Sequence, residues 1–208
     1  MRELLPIFLH LQGRRVLLVG AGPVGASKLA QLLAAGADVR VVAPDVHPDV
    51  EAATVVIERR AFEAKDLDDA WFVVAAATPE VNRQVAEAAA VRRIFVNAVD
   101  DPPNATAYLG GVVRRDGVTL AISTSGEAPA IAGLLREGLD ALLPEDLGAW
   151  MDAARRARQE WRQGGIPMEQ RRPLLLRTLN DLYAARGGAH DGSDLVGVGR
   201  SDGARKEE

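Results

Sequence analysis

A glycine-rich loop between a predicted strand and a predicted helix is the strongest indication of the fold of this chain. The motif GAGPVG, residues 20–25, follows the apolar run Arg15–Gly20 and precedes apolar residues at helical spacing from Val24 to Ala35. A short apolar run of this kind is typical of a strand buried on both faces of a parallel sheet. The spacing G-x-G-x-x-G at a strand-to-helix turn therefore predicts a nucleotide-binding βαβ unit.

Each glycine of the motif has a separate expected role. Gly20 is expected to make the tight turn, Gly22 to let the backbone approach a diphosphate, and Gly25 to let helix and strand pack closely. A diphosphate at this turn would meet free N–H groups and the positive end of the helix dipole. The alternative is a glycine turn in a doubly wound sheet that binds nothing.

The alternation of strand and helix continues after this first unit. Hydrophobic residues make up 48% of the sequence and aromatic residues 4%, a mix that suits helices packed on a parallel sheet. We therefore predict an α/β fold with a Rossmann-type doubly wound parallel sheet. The predicted strands are 15–20, 39–43, 54–58, 71–76 and 94–98, and the predicted helices are 24–35 and 80–91.

The pattern changes after Asp100. Two β-like runs, Ala107–Arg115 and Val118–Ser123, flank Asp116-Gly117, and this arrangement predicts an antiparallel hairpin. Periodicity and helix stop signals then predict three helices, over 128–143, 145–163 and 167–186. From Gly187 the sequence is rich in Gly, Ser and charge without periodicity, which is typical of a mobile tail.

The residues after the second strand bear on which dinucleotide binds. In folds of this type, an acidic residue at the end of that strand accepts a hydrogen bond from the adenosine ribose. The predicted strand ends at Ala43-Pro44, so Asp45 is the nearest candidate; the alternative is an aspartate that caps a helix or turn. Arg40 could instead contact the 2′-phosphate of NADP, but a carboxylate beside it would repel that phosphate. The expected cofactor is therefore NAD.

Two polar loops are candidates for a substrate site. Asp100 follows the fifth predicted strand, and ligands of open α/β sheets bind beyond the carboxyl ends of the strands. The alternative for this aspartate is a solvated turn before Pro102-Pro103. Ser123, Thr124 and Ser125 precede a predicted helix, where hydroxyls can cap free N–H groups or, with the helix dipole, hold a substrate carboxylate.

Composition and charge exclude several classes of protein. The formal net charge of -4 argues against a nucleic-acid partner. Cys is absent, which removes disulfides and thiolate ligands, and His10, His47 and His190 are too scattered to form a metal cluster, so no metal of the protein's own is expected. No apolar run is long enough to span a bilayer, so we expect no membrane partner and a cytoplasmic location.

Four groups of residues, in order along the chain, carry a resemblance to a known family. They are Leu5-Pro6-Ile7-Phe8 leading through Gly13-Arg14 to the glycine loop; Ala75-Ala76-Ala77-Thr78 with Asn82; Asn97-Ala98-Val99-Asp100; and Ala121-Ile122-Ser123-Thr124 with Pro129 and Leu134-Leu135-Arg136. From about Leu4 to Pro144 the chain resembles the precorrin-2 dehydrogenase family, which also forms the N-terminal part of siroheme synthases. Two positions depart from the pattern of many relatives: Tyr108-Leu109-Gly110-Gly111 replaces an aromatic followed by proline, and Ser125-Gly126 replaces two glycines.

The resemblance implies NAD-dependent oxidation of precorrin-2 to sirohydrochlorin in siroheme biosynthesis and, in some members, insertion of Fe²⁺ or Co²⁺. It implies that Asp100 performs general acid-base work and that Pro23, Val24, Pro44 and Asp45 contact NAD. It also implies a homodimer formed through the hairpin and the following helix, with a helical C-terminal region covering the substrate. The expected organisation is a NAD-binding Rossmann domain over 1–106, a dimerisation region over 107–146, a helical region over 147–187 and a disordered tail over 188–208.

Two other functions remain open at this point. One is a non-enzymatic NAD-sensing regulatory module, which needs no catalytic base, and the other is a metal chelatase that keeps the fold without hydride transfer. Arginines in the C-terminal helices could help to attract the carboxylates of precorrin-2, the alternative being a solvated helical face. These arginines are Arg155, Arg156, Arg158, Arg162, Arg171 and Arg172.

Overall fold

The computed structural model describes residues 3–185, which form two compact units. The first unit contains the chain to Arg114 together with Thr119–Leu142, and the second contains Arg115–Val118 and the chain from Leu143 onward. The tail predicted over residues 188–208 lies outside the described residues.

The first unit is built on a five-stranded sheet in the order β3-β2-β1-β4-β5, in which every neighbouring pair is parallel. This order places β1 at the centre and lets consecutive crossovers cover both faces of the sheet, which confirms the predicted Rossmann-type fold. The strands are β1 Arg15–Ala21, β2 Asp38–Val46, β3 Val56–Glu58, β4 Phe72–Ala75 and β5 Phe95–Ala98.

Two apolar cores lie on opposite faces of this sheet. Side chains at alternate positions of β1 enter different cores, with Leu18 in one and Leu17 in the other. Helix α1, Pro23–Ala34, buries Leu29 in the first core, and α3, Pro79–Arg92, buries Val85 in the second. Both helices begin with proline, whose fixed φ suits the first helical position and whose missing N–H has no partner to lose there.

The second strand is longer than the sequence indicated. We expected it to end at Ala43-Pro44, but it continues to Val46, which pairs with Ala21 beyond an irregularity in the ladder. Proline cannot donate to a ladder, yet it is tolerated at such an irregularity. His47 then caps the four-residue helix α2, Pro48–Glu51, by accepting a hydrogen bond from the Asp49 amide at 3.2 Å.

The third strand is shorter than predicted. Thr54 and Val55 lie before it in irregular backbone, where the Val55 amide bonds to the Ala53 carbonyl instead of a neighbouring strand. Only Val56–Glu58 pairs with β2, and β3 is an edge strand of the sheet.

The hairpin consists of β6, Gly111–Arg115, and β7, Val118–Ile122. Asp116 and Gly117 both have positive φ, 49° and 86°, as the two-residue turn of a tight hairpin requires. The first strand starts four residues later than the expected start at Ala107, because Ala107 bonds to Val96 of β5 through its amide. Helix α4, Pro129–Leu142, follows the hairpin in the first unit.

The second unit consists mainly of two helices, α5 Leu147–Gln163 and α6 Met168–Ala185. The hairpin turn is tied to the start of α5, since an oxygen of the Asp116 carboxylate accepts a hydrogen bond from the Gly148 amide at 3.1 Å. Arg115 donates to the Leu143 carbonyl at 2.8 Å. None of the helices described is both long enough and apolar enough to span a lipid bilayer.

A buried ionic cluster supports the loop between β3 and β4. Asp66 is 3% exposed and accepts hydrogen bonds from Arg60 at 2.8 and 2.6 Å and from the Glu63 amide at 2.9 Å. Burial by itself would raise the pKa of Asp66, but the Arg60 and Glu63 hydrogen bonds outweigh it and hold that pKa below its ordinary value. The ionised carboxylate therefore stabilises the folded state, and this stabilisation is lost as pH falls through the lowered pKa of Asp66.

Replacing Asp66 by alanine tests this cluster. Asp66→Ala removes a buried carboxylate that accepts from Arg60 and from the Glu63 amide. Arg60 keeps Glu58 as a partner, while the Glu63 amide loses its acceptor, so the free energy of unfolding should fall by about 2 kcal/mol at pH 7. Because the folded-state pKa is depressed, the difference from wild type should shrink as pH falls through that pKa, below 3.8.

Urea denaturation at several pH values measures the effect of this substitution. The matched control is Asp69→Ala, which removes an exposed partner of Arg15 and should change stability by less than about 0.5 kcal/mol. Equal losses in the two variants would contradict a special role for Asp66.

Candidate functional site

The glycine loop has the geometry that a dinucleotide site requires. Gly20 has a φ of 91°, and a Cβ there would lie 2.3 Å from the carbonyl oxygen of Ala76 after β4. A Cβ on Gly25 would lie 2.4 Å from the carbonyl oxygen of Gly20. A Cβ on Gly22 would meet no atom within 4 Å, so this glycine faces open space. Two glycines therefore close the turn, and the third leaves its outer surface free for a ligand.

The start of α1 offers free donors at this open surface. Gly22 is the residue before the helix, and no side chain caps the helix there. The amides of the first helical turn, including those of Val24 and Gly25, have no partner within a helix. Pro23 at the first position has no N–H and fixes the direction of the chain. The turn thus fits a diphosphate group, through backbone donors and the positive end of the helix dipole.

The loop after β4 is held against the glycine loop by Asn82. Asn82 is buried on α3, and its side-chain oxygen accepts a hydrogen bond from the Ala77 amide at 3.1 Å. The Ala76 amide in turn donates to the Val19 carbonyl of β1 at 2.8 Å. These bonds fix the carbonyl of Ala76, against which Gly20 packs.

Pro44 and Asp45 lie beside the glycine loop. Val19 pairs with Val42, and two residues later Ala21 pairs with Val46, so β2 has two more residues than β1 in this interval. Pro44 and Asp45 belong to this extra length and are both exposed. Their place agrees with the expected contact to an adenosine ribose, which stays a prediction.

Arg40 does not lie free at the end of β2. Its guanidinium donates to the main-chain oxygen of Asp66 at 2.6 Å and lies 3.4 Å from a carboxylate oxygen of Glu58. Arg40 pairs with Leu17 in the middle of β1, well before the glycine loop. The structure therefore gives no support to Arg40 as a contact for the 2′-phosphate of NADP.

Asp100 lines a cavity of about 280 Å³ in the first unit. It follows β5 with a φ of 54°, a left-handed conformation that aspartate tolerates better than most residues, and its side chain is exposed. The preceding residue continues the sheet, since the Val99 amide donates to the Ala75 carbonyl of β4 at 2.9 Å. The acidic loop is thus fixed at the carboxyl end of the sheet.

The cavity brings together several of the predicted residues. Asp100, Ser123 and Thr124 all line it, while Ser125 lies in the adjoining turn with a positive φ. The hydroxyl oxygen of Ser123 accepts from the Ser125 amide at 3.1 Å, and that of Thr124 accepts from the Ala128 amide at 3.3 Å. Both hydroxyls therefore support the turn before α4 as acceptors, and their hydrogens remain available to a ligand. Substrate binding by the three residues stays a prediction.

Two further residues that line the cavity were not predicted from the sequence to belong to the site. Lys28 lies on α1, where burial lowers the pKa of its ammonium and the nearby Asp100 carboxylate partly opposes that shift. Asn97 lies on β5 and is 6% exposed; its side-chain nitrogen donates to the Ala107 carbonyl at 3.0 Å. The signal for Asn97 was a polar residue within an otherwise apolar strand. Lys28 gave no local signal, because its neighbours in the cavity come from distant parts of the chain.

The arginines of the C-terminal helices belong to the second unit. Arg155 pairs with Asp152 at 2.9 Å on the surface of α5, and Arg171 donates to the Ile166 carbonyl at 3.0 Å. These contacts lie within that unit. They favour the second alternative for both residues, a solvated helical face, over a role in attracting the substrate.

A parallel sheet whose first strand ends in this glycine loop defines a dinucleotide-binding domain of the Rossmann type. The chain belongs to the family described as "Putative NAD(P)-binding", whose sequence profile matches residues 7–111.

The sequence similarity to siroheme synthases extends beyond that domain. The chain is 38% identical to a siroheme synthase of Photorhabdus laumondii over 88% of its own length and 40% of the relative. It is 41% identical to siroheme synthase 3 of Aeromonas hydrophila over 85% of its own length and 39% of the relative. The chain therefore spans about two fifths of the length of these proteins.

Among solved structures, the fold resembles that of "SirC, precorrin-2 dehydrogenase". The TM-score is 0.67 at 24% sequence identity, with 86% of this chain and 92% of that chain covered. The similarity thus includes the architecture beyond the Rossmann sheet.

Substitution of Gly22 tests the diphosphate site. A Cβ at Gly22 would meet no atom within 4 Å, so we expect Gly22→Asp to fold normally but to place a carboxylate where the diphosphate is expected. We expect NADH affinity to fall by about 100-fold, or about 2.7 kcal/mol, in a fluorescence titration.

Gly22→Ala serves as the graded comparison for this substitution. It adds only a methyl group at the same open position, so its loss of affinity should be smaller, and thermal melts should show both variants folded. Unchanged NADH affinity in Gly22→Asp would rule out this turn as the binding site.

Proposed function

We propose that this chain catalyses the NAD-dependent dehydrogenation of precorrin-2 to sirohydrochlorin, a step of siroheme biosynthesis. The observation that carries the proposal is one cavity lined by Asp100, Ser123 and Thr124 and also by Lys28 of the helix that begins at the glycine loop. The names of the siroheme synthase relatives support the same reaction.

The proposed chemistry divides between the cofactor and the protein. NAD⁺, when bound, supplies the acceptor for the hydride that leaves the macrocycle. Loss of a hydride requires loss of a proton as well, and the Asp100 carboxylate is the cavity group that we assign to receive that proton. The balanced reaction converts precorrin-2 and NAD⁺ into sirohydrochlorin, NADH and a proton.

The contacts to the cofactor are proposed from the glycine loop and the end of β2. The backbone from Gly20 to Gly25 would hold the diphosphate, with Pro23 and Val24 at the start of α1 among the residues that contact it. Pro44 and Asp45 contact the adenosine ribose, whose hydroxyls donate to the Asp45 carboxylate. This arrangement favours NAD over NADP, because an exposed carboxylate at that position repels a 2′-phosphate.

The contacts to the substrate are proposed at the start of α4. Precorrin-2 carries carboxylate side chains, and Ser123, Thr124 and Ser125 present hydroxyls and amides just before that helix. The helix dipole favours an anion at this end. A cytoplasmic protein without nucleic-acid or membrane partners completes the proposal, in keeping with the net charge of -4.

The proposed assembly is a homodimer formed through α4 and the hairpin. Helix α4 has a single buried residue, Ala132, while large apolar side chains on it are exposed, including Leu134 at 69% and Leu142 at 78%. A helix with a strongly apolar face and so little burial is typical of a surface that binds another copy or a partner. The resemblance to the dehydrogenase family selects a second copy.

The main test of the function is an absorbance assay with precorrin-2 and NAD⁺. Asp100→Asn should bind NADH like wild type, while kcat should fall by about 100-fold or more because the amide cannot take a proton. Asp38→Asn, an exposed change at the start of β2, is the matched control and should keep wild-type turnover.

Each outcome of this assay has a clear meaning. Wild-type turnover in Asp100→Asn would remove Asp100 from the mechanism. NADH binding by the wild type without any oxidation of precorrin-2 would favour a sensing module. Adding Fe²⁺ or Co²⁺ to the product shows in the same cuvette whether a metal is inserted.

A charged substitution on α4 tests the dimer. Leu134→Asp places a carboxylate in the proposed interface and should shift the mass in solution from two copies to one, as measured by light scattering during size-exclusion chromatography. Val91→Asp on α3, at a side chain 82% exposed, is the matched control and should keep the dimeric mass. A monomeric wild type at tens of micromolar protein would contradict this interface.

A further inference from the structure

Two polar groups in the cavity wall have no partner among residues 3–185. Lys28 forms no hydrogen bond with any of these residues, and no carboxylate oxygen lies within ion-pair distance of its ammonium. Asn97 on β5, another lining residue, has a buried side-chain oxygen without a donor. A half-buried cation that lines a cavity without a partner is free to bind an anion there, and Lys28 is such a cation.

The lowered pKa of Lys28 also indicates that this residue binds a ligand. Burial removes water from the ammonium and lowers its pKa, and the attraction of Asp100 only partly compensates. An ammonium in that situation destabilises the free protein compared with an apolar side chain of similar length, because its charge loses part of its hydration without gaining a direct partner. A binding role accounts for its presence there.

The neighbours of Lys28 indicate what it binds. It shares the cavity with Asp100 and with Ser123 and Thr124 of the loop before α4, whereas Gly22, where the diphosphate is expected, does not line this cavity. Lysine is a compact point charge with three donors and suits a carboxylate that approaches from variable directions. The substrate of the proposed function carries eight carboxylates on its rim.

We propose that Lys28 binds a carboxylate of the tetrapyrrole substrate and thereby sets which edge of the macrocycle faces Asp100. This inference rests on the proposed function. Lys28 holds the rim of the macrocycle from the side of α1, and the hydroxyl loop holds it from the side of α4. By binding this carboxylate, Lys28 determines which substrates bind and how the macrocycle is oriented in the cavity.

The test compares Lys28→Met, Lys28→Arg and the control Lys65→Met. Lys65 is exposed and paired with Glu63, outside the cavity, so its replacement controls for the loss of one lysine. The stable probe is uroporphyrin I, an octacarboxylate porphyrin, whose binding to the full chain is followed by absorbance without turnover. NADH affinity and the KM and kcat for precorrin-2 are measured on the same preparations.

We expect Lys28→Met to weaken uroporphyrin binding and raise the KM for precorrin-2 by about 10–100-fold, the effect of losing one hydrogen bond to a charged group. NADH affinity should stay within about twofold of wild type. Lys28→Arg keeps the charge and should recover part of the loss, and Lys65→Met should match wild type. The octamethyl ester of uroporphyrin should bind wild type and Lys28→Met alike, because it has no carboxylate.

Thermal and chemical stability supply an independent readout. Because the folded-state pKa of Lys28 lies below its unfolded value of 10.5, the ammonium destabilises the fold at neutral pH, and this effect fades as pH rises through the folded-state pKa towards 10.5. Lys28→Met should therefore be more stable than wild type at pH 7, and the gap should narrow at higher pH. If Lys28 instead stabilised the folded state, Lys28→Met would be less stable than wild type at pH 7.

Three results would overturn the inference. The first is unchanged uroporphyrin affinity and KM in Lys28→Met while the wild type oxidises precorrin-2, which leaves the proposed function intact. The second is a fall in NADH affinity as large as that for the porphyrin, which assigns Lys28 to the diphosphate. The third is a wild type that does not oxidise precorrin-2, which rejects the proposed function itself.

Discussion

The close approach of backbone to backbone at the turn between β1 and α1 sets the position of helix α1 on the sheet. Gly25 packs against the carbonyl of Gly20, and Gly20 packs against the carbonyl of Ala76, in both cases at distances that a Cβ would not allow. These contacts fix α1 against the carboxyl end of the central strand. The same contacts determine where the free amides of α1 point and where Lys28 lies relative to Asp100.

The binding surface is therefore built from chain segments that are distant in sequence and held by short polar links. Asn82 fixes the loop after β4, the Val99 amide extends the pairing of β5, and Thr124 supports the turn before α4. Each link satisfies a backbone group that would otherwise lack a partner near the cavity. The ammonium of Lys28, which also lines the cavity, has no such link to any residue that the structure describes and is free to bind a ligand.

Much of the Rossmann domain could be predicted from the sequence, because its signals are local. The apolar run of β1, the glycine spacing and the periodicity of α1 all lie within about twenty residues. The continuation of β2 past Pro44 could not be predicted, since it depends on pairing with Ala21 across an irregular ladder. Lys28 was missed for the same kind of reason: its cavity neighbours come from β5 and the loop before α4, and only the folded chain brings them together.

The position of Arg40 has a consequence for how such a chain could change over evolutionary time. In many enzymes of this architecture a preference for one dinucleotide is a property of a few exchangeable residues at the surface. Arg40, however, holds the Asp66 carbonyl and pairs with Glu58, so it forms part of the support for the segment between β3 and β4. A lineage that came to use NADP, which carries an additional 2′-phosphate on the adenosine ribose, would have to recruit a new cation near residues 44–47 and leave this arginine in place.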